Sequence, residues 1–258
     1  MDMMKLEEIY EYFNEEKRLN CSNASSVEFI TTTNFIDKYL KKESKILDIG
    51  AATGAYSLHY AEKGYDVTSI EPVKRNVDIL EAKITEDMNI KVYQGNALDL
   101  SYLEDNSFDV VLCFGPLYHL KSDEEKLRVI NESKRVCKKD GKILFAYLSN
   151  DMVFVTETFI YNTANHLLGD EYDKESFKLV DETPFCFMTV GKMEELMIKS
   201  NLNKVTHFAA DGLAELMADK INKFSKDEFN EWMRFHLYTC EKPELLGYSN
   251  HVVFVASK

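Results

Sequence analysis

The sequence predicts an α/β fold with a doubly wound, mostly parallel sheet covered by helices on both faces. Three observations carry that expectation. Short apolar runs alternate with helix-period stretches from residue 45 to about residue 205, the pattern of successive βαβ units. A loop bearing two glycines, Gly50 and Gly54, joins the first run to the first such stretch. No internal repeat, low-complexity tract or Pro/Gly-rich linker divides the chain, so one domain with appendages is expected.

Taken in order, KILDIG (45–50), DVTSI (66–70), IKVYQG (90–95), FDVVLCFG (108–115) and KILFAYL (142–148) read as strands. Between them, Val77, Leu80 and Ile84 lie three and four apart on one helical face. Ser122 and Glu125 have the spacing of a capping box ahead of Leu127 and Ile130. Past residue 188, Met193, Leu196 and Met197 predict a helix, KVTHFAA (204–210) a strand, and HVVFVAS (251–257) a strongly β-prone last strand. Leu6, Ile9, Tyr10 and Phe13 make one N-terminal stripe, and Phe29, Thr33, Ile36 and Leu40 another. The expected organisation is a helical lid at 1–42, a ligand-binding core at 43–149 and a cap insertion at 150–188. The rest of the core, 189–258, carries a helical insertion at 211–247.

Composition narrows the function. Lys and Arg number 31 against 44 Asp and Glu, a formal charge of −13, which opposes binding to a phosphate backbone. The basic runs are KRN (74–76) and KRVCKK (134–139), both placed at helix ends; no nucleic-acid partner is expected. The five cysteines are scattered without a CxxC pair or a histidine at ligand spacing, so neither a disulfide framework nor a metal site is expected, and Cys113 reads as core. MDMMKLEEIYEYF is too acidic for a signal peptide, and no apolar run approaches membrane-spanning length. The chain reads as cytoplasmic, with no membrane partner.

The most informative stretch is ILDIGAATGAYSLHYAEKGYDVTSIEP (46–72). Small residues between a strand and a helix let a ligand approach the backbone, beside the partial positive charge of the helix start. Glu71 closes the next strand and would lie beside that loop, where a carboxylate accepts hydrogen bonds from the two hydroxyls of a ribose. Together they describe a nucleoside pocket. A dinucleotide site prefers G-x-G-x-x-G, and the third glycine is replaced by Ser57. A ligand-free turn and a nicotinamide or flavin site are the alternatives to a simple nucleoside.

Asp48, Gly50, Ala52 and Gly54 resemble motif I, D-x-G-x-G-x-G, of the class I S-adenosylmethionine-dependent methyltransferases, with alanine at the middle glycine. QGNALDL (94–100) resembles that family's adenine segment, with Asn96 in place of the usual aspartate. NSFDVVLCFGPLYHL (106–120) resembles its strand-four motif, and RVCKKDGKILFAYL (135–148) its final helix, glycine turn and fifth strand. The resemblance covers roughly 45–148 and is nearest to small-molecule enzymes akin to those of quinone biosynthesis. It implies a Rossmann-like seven-stranded sheet whose last strand is antiparallel, and S-adenosyl-L-methionine as cofactor. The implied cofactor residues are Arg18, Asp48, Gly50, Ala51, Ala52, Gly54, Tyr56, Glu71, Pro72, Asn96, Ala97, Leu98, Phe114 and Gly115.

The implied reaction is methyl transfer to a small-molecule acceptor by in-line displacement, by a monomer or homodimer. Such a reaction asks mainly for alignment and exclusion of water, so the lack of a Ser/His/Asp signature is consistent with it. Tyr118 and His119 are the candidate catalytic residues, because they follow a strand at its carboxyl end and a histidine titrates near neutrality. Arg18 would pair with the methionine carboxylate. The two insertions would close an apolar chamber with Phe154, Phe159, Tyr161, Phe185, Phe187, Phe229, Trp232, Met233 and His236. Alternatives are a non-catalytic sensor of the cofactor, an RNA or protein methyltransferase, and a nucleotide-dependent oxidoreductase.

Overall fold

A computed structural model describes residues 18–161, 166–180 and 185–258. The first N-terminal stripe lies outside the described residues. The second falls largely on α1 (Asn23–Asp37), whose N-cap Ser22 accepts the Ser25 N–H at 3.2 Å.

Then follow β1 (Lys45–Ile49), α2 (Ala55–Glu62), β2 (Asp66–Glu71), α3 (Lys74–Glu81), β3 (Ile90–Gln94) and β4 (Phe108–Cys113). A 3₁₀ turn at Pro116–Tyr118 leads to α4 (Asp123–Val136), capped by Ser122 as its spacing predicts. Beyond lie β5 (Cys137–Ser149), α5 (Asn150–Thr156), a π-helical turn at Glu157–Tyr161, β6 (Phe187–Met188) and α6 (Val190–Lys199). The chain ends with β7 (Asn203–Ala209), α7 (Ala218–Ile221), α8 (Lys226–Thr239) and β8 (His251–Ser257).

The strands form one sheet in the order β3-β2-β1-β4-β5-β8-β7, with β6 pairing to β5 beside that path. All neighbours are parallel except β8, which is antiparallel to both β5 and β7. The carboxyl ends of the parallel strands and the amino end of β8 therefore meet at one edge.

One expectation needs correction. The glycine turn between α4 and the fifth strand is itself strand from Cys137 onward. Pairing jumps from Phe108↔Cys137 to Val110↔Lys142, so the extra residues bulge. Gly141 permits this, since a Cβ there would stand 2.6 Å from the Cys137 Sγ and 2.8 Å from the Asp109 carbonyl. β6, at two residues, is too short for any periodicity to mark.

The core lies on both sheet faces, because alternate strand residues point opposite ways. On one face Leu47, Ile49, Val111 and Phe145 pack with Val129 of α4 and Met193, Leu196 and Met197 of α6. On the other, Ile46, Val110, Leu112 and Leu144 meet Tyr56 and Tyr60 of α2 and Ile36 of α1. Phe35 stacks on Phe208 there, with ring centroids 3.9 Å apart. Cys113 is fully buried, as expected. No helix among the described residues is long and apolar enough to cross a membrane.

Candidate functional site

A cavity of about 570 Å³ opens at the shared edge of the sheet, within the range of small-molecule sites. The loop after β1, the end of β2, the loop after β3 and the exit of β4 line one part of it. The caps and the segment before β8 line the rest.

Gly50 and Gly54 sit at φ +82 and +90, and Ala52 between them at +47. The glycines answer to packing as much as to any ligand. A Cβ on Gly50 would lie 2.6 Å from the Phe114 carbonyl, and one on Gly54 would lie 2.2 Å from the Leu80 side chain. The loop amides are also committed inward. Gly50 and Ala51 both donate to the Ile70 carbonyl, at 2.8 and 3.1 Å, and Gly54 donates to Ala51 at 2.8 Å. Such a loop offers these amides to no phosphate, which disfavours a pyrophosphate-bearing dinucleotide.

Glu71, 4% exposed, accepts the Ala52 N–H at 2.9 Å on one oxygen. The other oxygen accepts the Val73 N–H at 3.0 Å and the Asn76 amide at 3.2 Å. With two acceptor positions per oxygen, the Oε2 that takes Ala52 keeps one and Oε1 is filled. Burial pushes its pKa up to about 7 against those hydrogen bonds. Asp48 is 1% exposed and is pushed up to about 6 by burial. Its Oδ2 accepts the Ser57 hydroxyl at 2.6 Å, which in turn accepts the Ser69 hydroxyl at 2.7 Å. Its Oδ1 is buried and has no hydrogen-bond partner among the described residues.

The residues singled out from the sequence gather here, with two exceptions. Arg18, Asp48, Gly50, Ala51, Ala52, Tyr56, Glu71, Pro72, Asn96, Ala97, Phe114, Gly115, Tyr118 and His119 all line the cavity. Gly54 does not; it is the left-handed N-cap that lets α2 start against Leu80. Leu98 does not either: its side chain packs on the core and its N–H donates to the Asn96 Oδ1 at 3.0 Å. Asn96 thus serves its own turn while facing the cavity. Tyr56 is wedged between Phe29 and Phe114, with centroids 5.1 Å away on each side.

Beyond Gly115 the chamber is less apolar than expected. Of the aromatics named above, Tyr161, Phe185 and Phe187 line it. Phe229, Trp232 and Met233 instead pack α8 against α1 and α7. Phe154 belongs to the cap's own cluster, and Phe159 is 75% exposed. In their place stands a polar group that the sequence did not single out: Glu28, Glu157, Asp211, Glu215, Asn250 and His251. Arg18 holds Glu28 at 2.6 Å. His251 Nδ1 lies 2.8 Å from Asp211 and 3.5 Å from Glu28. Glu215 accepts both the Tyr161 hydroxyl and the Asn250 amide. The π-helical turn, a feature frequent at functional sites, brings Glu157 and Tyr161 into this lining together.

Comparison with known proteins bears on the core that carries the cavity. Residues 47–145 match the family described as methyltransferase domain. That segment holds the glycine-bearing loop after β1, Glu71, the Asn96 turn and the Gly115 exit. By that match the core of this chain is similar to a methyltransferase domain. YqeM of Bacillus subtilis, itself only provisionally named a methyltransferase, is 30% identical over 114 residues, 44% of this chain and 46% of the relative. Glycine/sarcosine N-methyltransferase of Aphanothece halophytica is 26% identical over 145 residues, 55% of this chain and 54% of that one. The chain thus spans about half the length of these curated relatives.

The PH0226 protein of Pyrococcus horikoshii shares this chain's fold, with a TM-score of 0.63 at 16% identity, covering 97% of this chain and 98% of that one. The [4+2]-cyclase SpnF shares it too, at 0.55 and 16% identity, covering 90% and 80%.

Proposed function

We propose that this chain transfers the methyl group of S-adenosyl-L-methionine to a small-molecule acceptor held under the two cap insertions. The observation that carries the reading is a single cavity continuous from the Asp48–Glu71 carboxylate pair to the polar chamber at Asp211 and His251. Glu71 would accept the ribose hydroxyls, Asn96 and Ala97 would border the adenine, and the partnerless Asp48 Oδ1 would take the amino-acid ammonium. Bound there, the cofactor supplies a methyl group already activated on a sulfonium. The chain's own part is alignment and exclusion of water. Tyr118 and His119 would wall the transfer point where β4 leaves the sheet. Arg18 is held by Glu28, which favours a place for it in the chamber wall over a dedicated contact to the methionine carboxylate.

A small acceptor is favoured over nucleic acid by the net charge of −13 and by the fate of the basic runs. Lys74 pairs with Asp78, Arg135 with Asp105 and Glu132, and Lys138 with Asp109. Calorimetry against S-adenosylmethionine, S-adenosylhomocysteine and NAD tests the cofactor assignment; strong NAD binding without the sulfur nucleosides overturns it. Transfer of labelled methyl across a metabolite panel tests the reaction. The fold shared with a cyclase favours one second reading, a methyltransferase fold without methyl transfer. Tight cofactor binding with no transfer to any metabolite would select it.

A further inference from the structure

The chamber holds a histidine that cofactor binding leaves unused. Resting on the methyl-transfer reading above, we propose that His251 takes the proton from the acceptor, with Asp211 as its positioning residue. The atom that receives the methyl is then an oxygen or nitrogen bearing hydrogen, in an alcohol, phenol or amine.

The topology puts the pair in place. β8 is the antiparallel strand, so its first residue, His251, stands at the edge where β4 delivers Gly115 to His119. Asp211 follows β7 at that same edge. The Nδ1 of His251 lies 2.8 Å from the Asp211 Oδ2. An ionised carboxylate only accepts, so Nδ1 carries the ring hydrogen and Nε2 keeps its lone pair. Asp211 is itself clamped. Its Oδ1 accepts the Ser249 hydroxyl at 2.5 Å, and both oxygens lie 3.2 Å from the His251 amide nitrogen. A base oriented by a fixed carboxylate and lining the cavity is the arrangement expected of a general base. His119 has a different setting, with its ring 4.9 Å from Tyr118 and 5.3 Å from Phe185.

In the transfer, the acceptor's hydrogen passes to Nε2 and its freed electron pair bonds the methyl carbon. The carbon–sulfur pair stays on sulfur, leaving S-adenosylhomocysteine, a methylated acceptor and an imidazolium.

The charged groups facing His251 are Glu28 on α1, Arg18 before it and Asp211 after β7, with Glu215 held on the neighbouring Asn250. Burial lowers the His251 pKa, Glu28 and Asp211 raise it, Arg18 lowers it, and the net is upward. Neutral His251 is the working form, so turnover rises with pH through a midpoint above the ordinary histidine value.

The test combines two readouts on the full chain saturated with S-adenosylhomocysteine or S-adenosylmethionine. In ¹⁵N-histidine NMR, His251→Gln identifies the resonance by deleting it. Asp211→Asn should lower its midpoint by about one unit. Glu28→Gln should move it the same way, and carries the test should Asp211→Asn fail to fold. With labelled S-adenosylmethionine and a panel of small alcohols, phenols, amines and thiols, His251→Gln should lose about a hundredfold or more in turnover. Its affinity for S-adenosylhomocysteine should hold, and the rising limb of turnover in the other variants should follow the NMR midpoint. Undiminished turnover in His251→Gln, transfer to thiols only, or a limb that ignores the midpoint overturns the proposal. Wild-type protein that does not bind S-adenosylhomocysteine overturns the methyl-transfer reading beneath it.

Discussion

At Glu71 and Asp48, burial outweighs hydrogen bonding, so both carboxyls hold protons at pH values where an exposed carboxylate has lost them. The folded pKa of Glu71 is about 7 against an ordinary 4.5. Its contribution to stability is therefore full below about 4.5 and is lost as pH rises through about 7. Glu71→Gln should accordingly gain stability relative to wild type between about pH 5 and pH 8, read by chemical denaturation. A constant difference would mean that the carboxyl is ordinary. Ribose hydroxyls donate best to the ionised form, so affinity for S-adenosylhomocysteine should rise with pH through about 7 and lose that dependence in Glu71→Gln. Glu71→Ala should weaken binding by about 1–3 kcal/mol, measured calorimetrically; unchanged affinity would place the nucleoside elsewhere. Gly50 and Gly64 separate two reasons for glycine, since both have positive φ but a Cβ on Gly64 meets nothing within 4 Å. Gly50→Ala should cost about 2–4 kcal/mol and Gly64→Ala about 1 kcal/mol. Equal costs would remove the packing argument.

The elements differ in how plainly their residues announce them. β1, β2, β4 and β8 are buried on both faces along most of their length, and the apolar residues this places in them make short runs that need no partner to be recognised. α8 shows the limit of that reading. Its stripe of Phe229, Trp232, Met233 and His236 has the same spacing whether it faces a ligand or another helix, and it packs on α1 and α7. Met233→Ala should therefore cost about 2–5 kcal/mol of stability while leaving affinity for S-adenosylhomocysteine intact. A large loss of affinity in folded protein would return α8 to the site. Glu157 was hidden for another reason. It joins Tyr161 at the cavity where the turn is π-helical, a phase that no residue spacing there marks.

Across the whole molecule, cofactor binding should stabilise the fold by mass action, since the pocket exists only when the β1, β2, β3 and β4 ends are assembled. At about 100 times Kd the gain is about 2.7 kcal/mol, a rise of about 5–10 °C in Tm for a chain of this size. No shift with S-adenosylhomocysteine at that ratio would contradict a preformed site. The amino-acid order alone brought out the half of the cavity proposed for the nucleoside, because Asp48 to Ala52, Glu71 and Asn96 sit at strand ends and loops whose spacing is set by two successive βαβ units. It also made Cys113 core and Ser122 a cap, both local matters. Tertiary structure decided the acceptor half. Arg18, Glu28, Asp211, Glu215 and His251 come from four separate stretches, and nothing in their local sequence joins them. They meet because β8 runs against its neighbours, which brings its first residue to the edge where the parallel strands end.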